Sequence, residues 1–123
     1  MRFAHIADCH IGGWREPRLR QVTLNSFIRA IDICIQQKFD FVLIAGDLFN
    51  TSVPAIDQIK IAVQKLKEVH TAEIPVYIIA GSHDFSPSGK TMLDVLEAAG
   101  LVKNVVRGDV LDGKLKLNFT IDQ

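Results

Sequence analysis

A layered α/β fold, with a mainly parallel sheet flanked by helices, is predicted by three observations. The chain of 123 residues is 48% hydrophobic and 23% charged, enough apolar material for one domain with its own core. Three short runs, RFAHIA, FDFVLIAG and IPVYIIAG, are rich in branched and aromatic residues and lack the strict alternation of a half-exposed strand, so each reads as a buried strand. Helical patterns separate them, and alternating strands and helices imply right-handed crossovers between parallel strands.

The elements follow in order. After the first run, Arg18 to Gln37 is apolar almost all round, with a polar stripe at Gln21, Asn25, Arg29, Asp32 and Gln36, which predicts a largely buried helix. After the second run, Pro54 to Val69 sets Ile56, Ile59, Ala62, Val63, Leu66 and Val69 on one arc and opens with a proline suited to a first turn; Ile61 falls outside the arc. A shorter helix is expected from about Lys90 to Ala99, stopped by Gly100. The remaining segment, LVKNVVRGDVLDGKLKLNFTID, predicts two strands around the tight-turn pair Asp112-Gly113.

Charge and targeting signals exclude several classes. Lys plus Arg and Asp plus Glu balance at 14 each, so no global basic field draws the chain to a polyanion. Cys9 and Cys34 are too few for a disulfide framework and are expected as small core residues in a reducing compartment. Asp8 and His10 interrupt what a signal peptide would keep apolar, and no run approaches the roughly 20 residues of a membrane span. A cytoplasmic protein without membrane contact is expected. His5 is expected as a core histidine, and His70 as a helix-end residue without function.

Ligands of open α/β sheets gather beyond the carboxyl ends of the strands. There this chain carries Asp8-Cys9-His10, Gly46-Asp47 and Gly81-Ser82-His83-Asp84. Each alone fits a turn residue or a helix cap, but packing has no reason to produce all three in order, one per strand. Holding Asp8, His10, Asp47 and His83 together, with Asp84 beside them, calls for a compensating cation. Mixed oxygen and imidazole donors suit manganese, iron or zinc better than calcium. Two such ions about 3.5 to 4 Å apart activate a water and stabilise an in-line phosphoryl displacement. Just beyond, GGWREPRLR offers Trp14, Arg15, Arg18 and Arg20, which fit either a DNA contact or a solvated helix start.

The motifs DCH, GDLF and GSHD, in this order, resemble the first three motifs of the calcineurin-like metallophosphoesterases. FAHIADCHIG, DFVLIAGDLFN and TMLDVLEAAGL are similar to the DNA double-strand-break repair nucleases of the meiotic-recombination-eleven and SbcD class, a likeness running from Met1 to about Val106. The resemblance implies a metallophosphoesterase-type sandwich and a nuclease using two divalent ions, manganese above all. Asp8 and His10 would hold the first ion, Asp47 would bridge both, and position 82 would serve the second. His83, oriented by Asp84, would stabilise the transition state or protonate the leaving oxygen. Implied partners are DNA ends, an SMC-like ATPase and a second copy docking through Ile59, Val95 and Ala99; those three could equally face the sheet.

Three departures qualify these expectations. Ser82 stands where the family has asparagine, and its hydroxyl is shorter than an amide carbonyl. Asn50 stands where this nuclease branch often has histidine. The family's downstream histidine ligands have no counterpart, since no histidine follows His83. Residues 1–123 are therefore expected to be the N-terminal portion of the nuclease domain, with little hydrolysis alone. A small-molecule phosphoesterase and a non-catalytic dimerisation module are the competing readings.

Overall fold

The computed structural model describes residues 1–84, 91–106 and 108–121. The elements are β1 (Phe3–Ile6), α1 (Pro17–Gln36), β2 (Phe41–Ala45), α2 (Ile56–Thr71), β3 (Val76–Ile79), α3 (Met92–Ala98), β4 (Lys103–Asn104), β5 (Gly108–Leu111) and β6 (Lys114–Leu117). Strands β1 to β4 form one parallel sheet in sequence order, with Phe3 beside Phe41, Val42 beside Val76 and Tyr77 beside Lys103. The expected parallel sheet flanked by helices is present.

Every step in this sheet goes to the next strand in the same direction, so right-handed crossovers place the connecting helices on one face. Burial alternates accordingly. Val42, Ile44, Val76 and Ile78 face the helices and are buried, whereas Phe41, Leu43 and Tyr77 are half-buried and Phe3 and Ile79 exposed. The expectation of strands buried on both sides is therefore corrected. On the open face Phe3 stacks on Phe41, and Tyr77 meets Phe41 edge-on. Residues 118–120 cross this face, bounding a cleft of about 360 Å³ with Phe41, Leu43, Tyr77 and Val105.

The helix α1 opens with Pro17 in its first turn, and the Glu16 carboxylate accepts the Leu19 N–H at 2.9 Å. It buries Leu24, Phe27, Ile31 and Cys34 at three-and-four spacing, while Leu19, Val22 and Ile33 are exposed. The prediction that it is largely buried fails because only one face meets the sheet and α2. The helix α2 begins after Pro54, buries Gln58, Ala62, Leu66 and Val69, and leaves Ile56 exposed; Ile61 packs at the core edge instead. Lys65 ties the two helices, with Nζ 2.6 Å from Asp32 Oδ1 of α1 and from Glu68 Oε2. Burial alone would lower its pKa, but bonding to Asp32 and Glu68 raises it instead.

In α3 the Asp94 carboxylate accepts the Thr91 N–H at 2.9 Å, and Gly100 at φ 76° closes the far end. Lys90, the expected start, lies outside the described residues. The C-terminal segment gives three strands rather than two: β4 joins the sheet, and only β5 and β6 form the hairpin. Asp112 and Gly113 both adopt positive φ (51° and 72°), as a type I′ turn requires. Among the described residues no helix is long and apolar enough to cross a membrane.

Candidate metal centre

Beyond the carboxyl ends of β1 and β2 the chain keeps pairing without remaining extended. Asp8 N–H donates to Gly46 O (3.3 Å), His10 N–H to Asp47 O (2.9 Å), Ile11 N–H to Leu48 O (3.0 Å) and Asn50 N–H to Ile11 O (3.1 Å). Asp8, His10 and Asp47 all have left-handed backbones, at φ 53°, 47° and 51°. Asp and His tolerate that region better than most residues. Both segments thus turn at the sheet edge while their backbone groups stay paired.

The β3 end closes the corner. Asp47 Oδ1 accepts the His83 N–H at 2.9 Å, and Asp47 Oδ2 lies 3.2 Å from His83 Nδ1. A Cβ at Gly81 would sit 2.5 Å from the Asp47 nitrogen and overlap its carboxylate, so only glycine lets these backbones approach. Asp84 is buried; its Oδ2 accepts N–H bonds from Asp47 and Gly81, each at 2.8 Å, and its Oδ1 accepts the Phe49 N–H at 3.4 Å. Its carboxylate therefore stitches β2 to β3 through the backbone.

One donor atom each from His10, Asp47 and His83 lies within 4.8 Å of the others. His10 Nε2 is 3.8 Å from Asp47 Oδ2 and 3.7 Å from Asp8 Oδ1, and the imidazoles of His10 and His83 meet edge-on at 4.8 Å. Two imidazoles and the Asp47 carboxylate, with Asp8 within reach of His10, are a set of donors that fits a divalent transition metal. The Asp47 pKa is lowered, chiefly by the His83 backbone N–H, with help from the His83 side chain and the charges of His83 and His10, against an opposing effect of burial. Cys9 is pushed up to about 11 by burial and by the nearby charges of Asp8 and Asp84, which keeps it a thiol.

The predicted site residues divide as follows. His10, Asp47 and His83 converge, with Asp8 beside His10. Ser82 is exposed, its Oγ 3.3 Å from His83 Nδ1. The His83 ring bonds to Asp47 and Ser82, while Asp84 bonds to backbone nitrogens, so Asp84 reaches His83 through the backbone of the turn and not through its ring. Trp14, Arg15 and Arg18 are exposed, and Arg20 Nε donates to the Trp14 carbonyl at 2.8 Å. Ile59 is half-buried, whereas Val95 and Ala99 are exposed on the third helix and its end. His5 is exposed on the open sheet face and not a core histidine. The residue that spacing did not single out for this role is Asn50, whose Oδ1 lies 3.0 Å from His10 Nδ1. Its position three residues past Asp47, on the segment paired with Ile11, was the available signal.

Comparison with known proteins gives two results. Residues 1–119 match the family described as calcineurin-like phosphoesterase. The chain is 35% identical over 117 residues to the DNA double-strand break repair protein Mre11 of Archaeoglobus fulgidus, and 36% identical over 121 residues to that of Methanocaldococcus jannaschii. These alignments cover 89% and 96% of this chain but 26% and 31% of those proteins. A third such protein, from Thermoplasma acidophilum, is 41% identical over 86 residues, covering 65% of this chain and 22% of its own length. The chain thus spans less than a third of the length of the relatives it matches.

Proposed function

The chain belongs to the calcineurin-like phosphoesterase family, and from that premise we propose that it forms the first half of the active site of a metal-dependent nuclease acting in DNA double-strand-break repair. The observation that carries this reading is the convergence of His10, Asp47 and His83, with Asp8 beside them, at three consecutive strand ends. Similarity to proteins named for double-strand-break repair supplies the substrate class.

Asp8, His10 and Asp47 would hold the first divalent ion, manganese being our assignment, and Asp47 with Ser82 would serve a second. Bound there, the metal supplies a nucleophilic water at neutral pH and charge neutralisation for the phosphodiester. The protein's own part is positional. Asp47 takes both the backbone N–H and the ring Nδ1 of His83, which, among the described residues, leaves His83 Nε2 as the nitrogen free for substrate. As an imidazolium, His83 keeps one N–H on Asp47 and offers the other to the leaving oxygen. Asp84 maintains the turn that carries it. The exposed Trp14 and Arg15, on the loop after His10, and Arg18, in the first turn of α1, are assigned to DNA contact. Homodimerisation through Ile59, Val95 and Ala99 agrees with the exposure of the last two. An SMC-like ATPase partner rests on the family resemblance alone.

Calorimetric titration with Mn²⁺, paired with a cleavage assay on end-labelled duplex DNA, tests the assignment. Saturable Mn²⁺ binding is expected, lost in Asp47→Asn and kept within a few-fold in His83→Ala, with little DNA cleavage by residues 1–123 alone. Absence of Mn²⁺ binding, or efficient turnover of a phosphate monoester with none of DNA, would overturn it.

A further inference from the structure

Asn50 is seated by both of the segments that carry the metal donors. Its N–H donates to Ile11 O at 3.1 Å, and Ile11 forms a parallel bridge with Phe49. The loop folds back over it: Gly13 N–H donates to His10 O at 2.9 Å, and a Cβ at Gly13 would lie 3.2 Å from the Asn50 carboxamide carbon and oxygen. The amide is held in this frame with Oδ1 3.0 Å from His10 Nδ1.

A carbonyl oxygen only accepts, so this contact is a hydrogen bond when Nδ1 carries the proton. A neutral imidazole has one such proton, and placing it on Nδ1 leaves the lone pair on Nε2. Nε2 is the nitrogen that faces Asp8 and Asp47, at 3.7 and 3.8 Å. We infer that Asn50 is a positioning residue: its carboxamide oxygen fixes the tautomer and ring plane of His10 so that Nε2 is presented to a divalent cation. The inference rests on the metal reading above and deepens it. It also gives Asn50 a purpose separate from the imidazole that the resemblance would put at this position.

Nitrogen NMR of the His10 ring, without metal and at alkaline pH where imidazoles are neutral, reads the tautomer directly. The native protein is expected to show protonated Nδ1. Asn50→Leu, of similar size but without an acceptor, should give a tautomer mixture and weaken Mn²⁺ binding by about 10- to 100-fold, the usual cost of losing a partner behind a metal-bound histidine. Asn50→Asp, which retains an acceptor, should recover both readouts, whereas a merely structural role would leave the tautomer unchanged in every variant. Should Asn50→Leu fail to fold, Asn50→Ser makes the same comparison by shortening the reach. Protonated Nε2 in the native protein, or an unchanged tautomer and affinity in Asn50→Leu, overturns the role of Asn50 while leaving the metal site standing. A tautomer that responds to Asn50 in a protein that binds no Mn²⁺ overturns the metal reading and the purpose assigned here with it.

Discussion

At the scale of single residues, the site depends on unfavourable backbone. A left-handed conformation costs a non-glycine residue roughly 1 kcal/mol, and Asp8, His10 and Asp47 all adopt it. The Asp8 side chain is largely exposed, its nearest charged partner 3.7 Å away, so little in the fold depends on it. Asp8→Gly should therefore match or exceed the native protein in urea unfolding, by up to about 1 kcal/mol, while binding Mn²⁺ far more weakly. Asp47 gives a pH signature. Its folded pKa lies below its unfolded value, so its contribution is complete above the ordinary carboxylate pKa of about 4 and is lost as pH falls through the lower folded value. Unfolding free energy measured against pH should show that acid limb, and Asp47→Asn should flatten it. The convergence of His10, Asp47 and His83, with Asp8 beside His10, was legible from spacing, because all four follow the carboxyl ends of neighbouring parallel strands. Spacing did not reveal Asp84's true partners, since a carboxylate beside a histidine looks the same whether it bonds an imidazole or three amides.

At the scale of elements, the turn after β3 is held by one buried carboxylate. Removing it strands the N–H groups of Asp47, Gly81 and Phe49, and each buried orphan costs about 1 to 3 kcal/mol. Asp84→Ala should lower stability by 3 kcal/mol or more in chemical denaturation, with Asp84→Asn intermediate because one oxygen remains as acceptor. An unchanged stability would show that the turn holds without it. Helix positions were legible because α1 and α2 repeat apolar residues at three-and-four spacing, and the Asp112-Gly113 turn because few pairs accept two positive φ values. The exposed Val22, Ile33 and Ile56 were not legible as such. An apolar residue looks alike whether it faces the core or another surface, and that distinction comes from which side the crossovers take.

For the molecule as a whole, the proposed homodimer draws on apolar surface away from the core. Val95 is 57% exposed and Ile56 84%, one on each of the two helices assigned to pairing. Val95→Asp should shift sedimentation toward the monomer while leaving the melting temperature nearly unchanged. Loss of folding would return Val95 to the core, contrary to its exposure. The plain order of the sheet, each strand beside its sequence neighbour, bears on how the molecule assembles. Each pairing of sequence neighbours closes over a single intervening helix, so the sheet can grow by accretion, one strand and helix at a time. In that order of assembly Asp8 and Asp47 would meet as β2 docks on β1, and His83 would join them with β3. The backbone pairing that joins the two strands is thus also what restrains the two mutually repelling carboxylates.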